Sequence, residues 1–274
     1  MSAGGAPERH AAAQRSAAAD IMVEQDGRTA TVTFNRPDAR NAMTWDMYEA
    51  LYQACDRLDA DPDVRVLVVR GAGTTAFASG TDIRQFLDFK TRDDALAYEA
   101  RTSRALGRLA AMNKPTIAEV QGDAVGGGLF IALACDLRLA ATHARFGVPV
   151  ARTLGNFPAP ASYSRLVATI GPVRARAMLL TARLLDANEA QAIGLVDEVH
   201  PGDQLPTRVR DLAGRLADLA PLTLAAAKEA TRRVTAAVSL GDAEDLILSC
   251  YLSQDFQEGV RSFLDKRKPV WRGV

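Results

Sequence analysis

The sequence predicts an α/β protein in which a parallel α/β core is followed by a helical C-terminal third. Short β-branched or apolar runs at 64–70, 116–120 and 137–141 alternate with helical patterns. Two successive passages from strand to helix to strand are typical of a parallel sheet with helices packed against it. From residue 158 onward the periodicity is almost entirely helical.

The N-terminal elements follow from turn residues and hydrophobic spacing. Residues 21–34 predict two strands joined at Asp26-Gly27, a favoured hairpin pair. Thr44 is the expected N-cap of a helix over 45–60, and Asp61-Pro62 ends that helix.

The middle of the chain alternates between strand and helix patterns. The strand at 64–70 is followed by a Gly-rich loop over 71–80 and by helical patterns at 81–89 and 92–112. Residues 122–136 predict a loop and then a buried helix. A short strand at 195–199 interrupts the helical remainder of the chain.

These elements divide the chain into three expected regions. Residues 1–19 predict a disordered tail, because they are Ala-rich and lack the leucine-rich segment of a secretory signal. Residues 20–200 form the expected α/β core, and residues 201–274 form the expected helical C-terminal region.

The composition argues against several classes of function. The 33 Lys and Arg residues balance 33 Asp and Glu residues, so nucleic acid and anionic membranes are not expected partners. The three cysteines form no CxxC pair, which predicts neither disulfides nor a metal site and favours the cytoplasm. No apolar run approaches the roughly 18 to 20 residues that span a bilayer.

A dinucleotide fingerprint is the first candidate motif. Residues 71–76, GAGTTA, match G-x-G-x-x-A, and Asp93 or Asp94 follows about 20 residues later. That motif requires a helix to begin at its last glycine. Here two β-branched threonines follow Gly73, and FASGTD comes before any helix can begin. A nicotinamide-dependent oxidoreductase is therefore kept only as an alternative.

Two glycine-containing loops form a second candidate site. GGG at 126–128 enters an apolar helix, and FASGTDI at 77–83 contains a tight turn. Glycines at a helix start expose backbone amides, and the helix dipole adds positive potential there. If the two loops meet, one N–H group from each forms an oxyanion hole, which binds the oxygen of a polarised carbonyl.

Six segments in order resemble the crotonase, or enoyl-CoA hydratase/isomerase, superfamily, and the resemblance covers about residues 21–272. The matching segments are NRPDARNAM (35–43), FASGTDI (77–83), KPTIAEVQGDAVGGGLFIALACDLRLA (114–140), ARFGVP (144–149), ARLLDANEAQAIGLVDEV (182–199) and EGVRSFLDKRKPVW (258–271).

The resemblance implies a β-β-α superhelix core with a helical C-terminal trimerisation region, assembled as a trimer or as a hexamer made of two trimers. It implies an acyl-CoA thioester as substrate, with coenzyme A part of that substrate and no separate cofactor. By the same resemblance, the amides of Thr81 and Gly127 form the oxyanion hole. The positions expected to contact CoA are Asn41, Ala42, Arg84, Phe263 and Lys266, the last two reaching a neighbouring subunit.

The chain departs from the hydratases where they carry two catalytic glutamates. The first position is Phe130, and the second is Val150 or, in a shifted alignment, Ala151. Residues 137–185 contain no Asp or Glu at all. Hydration needs a base for water and an acid for Cα, so hydration is expected to be weak.

A proton carrier would have to come from elsewhere in the chain. The candidates are Asp123, Tyr98, Glu99, Tyr163 and Arg152. For Asp123 the alternative is a solvent-facing loop, and for Tyr98 and Glu99 it is a surface helix. Two functions remain open beside the oxidoreductase: an acyl-CoA-processing enzyme and a non-catalytic acyl-CoA-binding protein.

Overall fold

The computed structural model describes residues 20–241 and 243–274 and contains two β-sheets enclosed by helices. The tail predicted at 1–19 lies outside the described residues. In chain order the strands are β1 Ile21–Asp26, β2 Thr29–Phe34, β3 Val66–Gly71, β4 Ala76–Ala78, β5 Thr116–Val120, β6 Asp123–Val125, β7 Leu137–Ala141, β8 Arg145–Gly147, β9 Leu185–Asp186 and β10 Glu198–His200. The α-helices are α1 Trp45–Ala60, α2 Arg92–Ala110, α3 Gly127–Ala134, α4 Val150–Thr153, α5 Pro160–Thr181, α6 Ala187–Ala192, α7 Leu205–Ala217, α8 Pro221–Thr235, α9 Glu244–Tyr251 and α10 Gln254–Leu264.

The larger sheet has six strands in the order β1-β2-β3-β5-β7-β10. The β1-β2 hairpin is antiparallel, and every other pairing in this sheet is parallel. The α/β prediction is therefore confirmed. The hairpin turn consists of Gly27 and Arg28, one residue later than predicted, because Asp26 already pairs with Thr29.

The smaller sheet, β4-β6-β8-β9, consists of four short strands that the sequence analysis did not predict. Strand β6 has three residues inside the segment predicted as a loop, so it is too short to show a period. The predicted helix over 81–89 is a 3-10 helix at Ile83–Phe86. The strand predicted at 195–199 begins only at Glu198, and Leu195 and Val196 are buried ahead of it.

Helices α1 and α2 each begin at a capping threonine, and the cap of α1 is the one that the sequence predicts. The Thr44 side chain accepts a hydrogen bond from the Met47 amide at the start of α1. Thr91 and Asp94 form a reciprocal capping box at the start of α2. Each helix then buries one apolar face, which places α2 beside α1 and over α3.

The core consists of three clusters of buried side chains. The largest lies between the six-stranded sheet and α1, α2, α3 and α5. A second joins α7 to the opposite face of that sheet, with Val209 packed in the cluster of Val68 and Leu139. A third joins α9 and α10 to α2 and to the 3-10 helix, because Tyr251 packs against Tyr98 of α2 and Phe256 packs against Phe86. The C-terminal helices therefore lie beside α2, which carries Tyr98 and Glu99.

Each helix in the described part of the chain is too short or too polar to cross a lipid bilayer.

Candidate functional site

The two glycine-containing loops meet, as the sequence predicted. A β-carbon built at Gly127 would lie 3.6 Å from the Thr81 nitrogen. A β-carbon built at Gly80 would lie 3.5 Å from the Gly127 nitrogen. The amides of Thr81 and Gly127 are therefore near neighbours, although they belong to separate loops.

Neither of these amides donates a hydrogen bond to any residue that the structure describes. Gly127 is the first residue of α3, where an N–H group has no carbonyl acceptor within the helix. The neighbours of Thr81 are paired instead: Met43 N donates to Gly80 O and Asp82 N donates to Met43 O, both at 2.8 Å. Two free donors thus stand together, one of them at the positive end of a helix.

Close packing explains why glycine follows glycine here. A β-carbon at Gly128 would lie 1.9 Å from the carbonyl oxygen of Ala78, so only glycine lets α3 pack this closely on β4. The pairing of β4 with β6 holds the two loops side by side. The GGG motif therefore serves both packing and the exposure of an amide.

Two phenols fix the side chain of Thr81. Its Oγ1 lies 3.0 Å from Tyr48 Oη and 3.0 Å from Tyr98 Oη. Burial raises the pKa of Tyr48 to about 12 and the pKa of Tyr98 well above its usual value. Both phenols are therefore neutral at physiological pH and act as hydrogen-bonding groups.

A small cavity of ≈ 50 Å³ adjoins Gly127. Its lining residues are Tyr48, Tyr98, Glu99, Thr102, Leu106, Gly126, Gly127, Phe130, Val150, Asn156, Pro158, Ala159 and Ser162.

Both positions of the missing glutamates face this cavity. Phe130 on α3 and Val150 on α4 are among its lining residues, whereas Ala151 is exposed. Of the two alternatives for the second position, Val150 is therefore the one that contacts the cavity. Neither Phe130 nor Val150 can carry a proton, so this part of the wall is apolar.

Glu99 is a carboxylic acid in the wall of the same cavity. It is 7% exposed, and burial raises its pKa to about 7, although a hydrogen bond from Tyr251 opposes that shift. Tyr251 Oη donates to Glu99 Oε1 at 2.8 Å, and Asn156 Nδ2 donates to Tyr251 Oη at 3.0 Å. The alternative of a surface helix is wrong for Glu99 and Tyr98, because both line the cavity.

Sequence reasoning missed Tyr251 and Asn156. Tyr251 lies 152 residues beyond Glu99, and only the return of α9 onto α2 brings the two together. Asn156 lies within residues 137–185, the stretch without Asp or Glu, and no motif marked it as a contact of the pocket.

The other candidate proton carriers lie elsewhere. Asp123 is 5% exposed and forms ion pairs with Arg40 at 2.5 Å and Arg145 at 2.7 Å, so the prediction of a solvent-facing loop carboxylate is wrong. Arg152 is exposed, and the ring of Tyr163 packs against Phe157. None of these three lines the cavity.

Asn41 is held by structural hydrogen bonds. It is fully buried, its Oδ1 accepts from the Arg36 amide at 3.0 Å, and its Nδ2 donates to Ala76 O at 2.8 Å. Its backbone N–H also donates to Arg36 O at 2.8 Å, whereas the neighbouring Ala42 is half-buried and reaches the surface.

The other positions expected to contact CoA are exposed. The side chain of Arg84 is 66% exposed and pairs with Asp82 at 2.6 Å. Phe263 is 50% exposed, and Lys266 is exposed immediately after α10. Their contacts with CoA or with a neighbouring subunit stay predictions.

The dinucleotide alternative finds no geometric support. The loop at 71–76 leads into β4 rather than into a helix, so the fingerprint geometry is missing. Within residues 20–241 and 243–274, no three His, Cys, Asp or Glu side chains group as metal ligands would.

Comparison with known proteins shows the family of the chain. The enoyl-CoA hydratase/isomerase family model matches residues 24–274. A probable enoyl-CoA hydratase of Mycobacterium bovis is 37% identical over 252 residues, which is 91% of this chain and 96% of the relative.

Solved structures share the fold. An enoyl-CoA hydratase/carnithine racemase from Magnetospirillum magneticum is 36% identical with a TM-score of 0.77, over 93% of this chain and 96% of the other. A methylmalonyl-CoA decarboxylase in complex with 2-nitronate-propionyl-CoA is 26% identical with a TM-score of 0.84, over 93% and 98%. The chain therefore belongs to the enoyl-CoA hydratase/isomerase family of the crotonase superfamily.

Proposed function

We propose that this protein processes an acyl-CoA ester by binding the thioester carbonyl oxygen at the amides of Thr81 and Gly127. The observation that carries the proposal is the convergence of two free N–H groups beside a small cavity. Such donors stabilise an enolate formed at Cα, at roughly 10²- to 10³-fold per donor. The acyl group would occupy the cavity.

Hydration is the reaction that this cavity favours least. Water addition needs an acid and a base at the acyl group, and Phe130 and Val150 supply neither. One neighbour of high structural similarity is named as a decarboxylase, so family membership alone leaves the reaction open. Reactions that pass through an enolate with one proton transfer fit the wall better.

The rest of the substrate would lie outside the cavity. We propose that the CoA moiety runs along the Asn41-Ala42 segment, in contact with the half-buried Ala42, and that Arg84 faces its phosphates. Phe263 and Lys266 would reach the CoA of a neighbouring subunit in a trimer or in a hexamer. Their exposure in the single chain supports this placement.

A screen of acyl-CoA esters tests the proposal. Mass spectrometry distinguishes hydration, hydrolysis and decarboxylation by product mass, and chromatography detects a moved double bond. We expect a product from at least one thioester. Tight binding of thioesters with no product from any of them would overturn the catalytic proposal in favour of a binding protein.

A further inference from the structure

We propose that Glu99 is the proton carrier of this site, removing and returning the Cα proton of the bound acyl group while Tyr251 and Asn156 hold its carboxyl group in place. The inference rests on the proposed oxyanion hole, because the thioester carbonyl must be bound beside the cavity. It assigns the chemistry to a position different from the two where hydratases carry glutamates.

Glu99 lies in the wall of the cavity that adjoins Gly127. Among the described residues that line the cavity, Glu99 is the sole carboxylic acid. Gly127, whose amide would bind the carbonyl oxygen, lines the same cavity of ≈ 50 Å³. In a space this small, a carboxyl group in one wall and a carbonyl bound at another lie within reach of the carbon between them.

A hydrogen bond from Tyr251 holds one oxygen of the Glu99 carboxyl group. Oε1 accepts from Tyr251 Oη, while Oε2 has no partner among the described residues. Asn156 Nδ2 donates to Tyr251 Oη, so the hydroxyl hydrogen of Tyr251 points to Glu99. Oε1 is thereby anchored, and Oε2 is left to exchange a proton with a ligand.

The groups around Glu99 favour a carboxyl group that is ionised in part near neutrality. The titratable side chains around it are Tyr48, Tyr98 and Tyr251, from α1, α2 and α9, and among them Tyr251 lowers the pKa of Glu99 through its hydrogen bond. All three phenols are buried with raised pKa, so they stay neutral. Burial brings the pKa of Glu99 to about 7, where a general acid-base group is most effective.

The proposed step balances with these groups alone. The Glu99 carboxylate takes the proton from Cα, and the electron pair of the C–H bond forms a C–C double bond. The π pair of the thioester carbonyl moves onto oxygen, where the amides of Thr81 and Gly127 bind the resulting negative charge. Return of the proton from Glu99 to Cα, or to the γ-carbon of a 3-enoyl-derived dienolate, completes the cycle.

This assignment narrows the reaction to one that needs a single proton carrier. Moving a double bond between positions α,β and β,γ requires one acid-base group that serves two carbons in turn. Protonating an enolate left by loss of CO₂ requires one as well. Hydration requires an acid and a base at once, and Glu99 is the sole carboxylic acid among the described residues of the cavity wall.

Exchange of the Cα protons of butyryl-CoA in D₂O tests the proposal. Mass spectrometry counts one added mass unit for each proton exchanged. We expect exchange by the wild-type protein, and a loss of roughly 10²- to 10⁴-fold in Glu99→Gln with thioester affinity retained. Asp93→Asn, an exposed position on the same helix, is the matched control and should exchange like wild type.

The pH profile supplies a second readout that a structural role would not move. Exchange should rise with pH through about 7 as Glu99 ionises. Tyr251→Phe removes a hydrogen bond that lowers the pKa of Glu99, so the midpoint of its profile should move to higher pH. This variant keeps the test open if Glu99→Gln does not fold.

The outcomes separate the two proposals. Unchanged exchange in folded Glu99→Gln overturns the role of Glu99 and leaves the oxyanion hole standing, as does a Tyr251→Phe profile with an unmoved midpoint. Bound butyryl-CoA with no exchange in the wild-type protein overturns the role of Glu99, and the acyl-CoA screen then decides the proposed function separately.

Discussion

The phenol of Tyr48 lies directly over the backbone at Gly127: a β-carbon at position 127 would come 2.9 Å from Tyr48 Oη. The same oxygen lies 3.0 Å from Thr81 Oγ1, so one side chain contacts both residues whose amides would bind the substrate. A change at Gly127 therefore acts through contact with Tyr48 as well as through the amide, and a test must separate the two.

Substitution of Gly127 by proline and by alanine separates the contact with Tyr48 from the loss of the N–H group. Both add a β-carbon that meets Tyr48, but only proline removes the N–H group, and the first residue of a helix accepts its fixed φ. We expect Gly127→Pro to turn over an acyl-CoA roughly 10²- to 10³-fold more slowly than Gly127→Ala. Circular dichroism checks that both variants fold, and equal rates would exclude this amide as a catalytic donor.

Crotonyl-CoA hydration should be weak in the wild-type protein. Losing an acid and a base costs on the order of 10⁴-fold or more, with some reduction because paired groups are not additive. We expect Phe130→Glu with Val150→Glu to raise hydration. Phe130→Glu with Ala151→Glu is the matched control, because Ala151 is exposed and does not line the cavity.

The rate of crotonyl-CoA hydration by the wild-type protein decides whether the missing glutamates matter. A wild-type kcat in the ordinary enzyme range, roughly 1 to 10³ s⁻¹, would show that another residue has replaced the glutamates. Loss of absorbance of the conjugated enoyl thioester measures the rate directly.

Replacing Glu99 should stabilise the fold at high pH relative to low pH. The pKa of Glu99 is raised from 4.5 to about 7 in the folded state, so the native protein holds its proton more tightly than the unfolded chain does. The stabilisation from this proton is complete below pH 4.5 and is lost as pH rises through about 7. Glu99→Gln does not undergo this loss.

Urea unfolding at pH 4.5 and pH 8 measures the difference. Between these two values, we expect the stability of Glu99→Gln to improve against wild type by roughly 2 to 4 kcal/mol, at about 1.4 kcal/mol per pKa unit. Asp93→Asn should follow wild type. A constant difference between Glu99→Gln and wild type would contradict a raised pKa at this position.

The chain should assemble. Helix α8 has no buried residue, and Leu222 and Val234 on it are 84% and 74% exposed. Apolar side chains this exposed on one helix are typical of a surface covered in an oligomer. Light scattering should give three or six times the 29.3 kDa of one chain, and Leu222→Glu with Val234→Glu should lower that mass. A monomer at micromolar concentration would contradict the trimer.

The sequence predicted those elements whose information is local. Thr44 caps α1 as expected because an N-cap needs only its own side chain and an amide three residues on. Strand β5 occupies the predicted residues 116–120 because a continuous apolar run suits a buried parallel strand. Strand β6 was missed because three residues between glycines show no period, and pairing with β4 and β8 defines it.

The site residues also differ in whether local sequence or long-range contacts define them. The two motifs indicated loops that could meet, and the family resemblance singled out Thr81 and Gly127, whose backbones are neighbours in the structure. The environment of Glu99 was beyond sequence reasoning, because its burial and its bond to Tyr251 depend on helices at the far end of the chain folding back onto α2. A helix that looks exposed in isolation becomes buried through that contact.

The small, largely apolar cavity has a consequence for substrate affinity. An acyl group that fills it displaces water from Glu99, and further desolvation raises the pKa of a carboxyl group. Binding of a neutral acyl group near pH 7 then draws a proton from the solvent, and affinity falls as the medium becomes alkaline. The heat of binding would therefore change with the ionisation enthalpy of the buffer. Longer acyl chains, which displace more water, would take up a larger fraction of a proton.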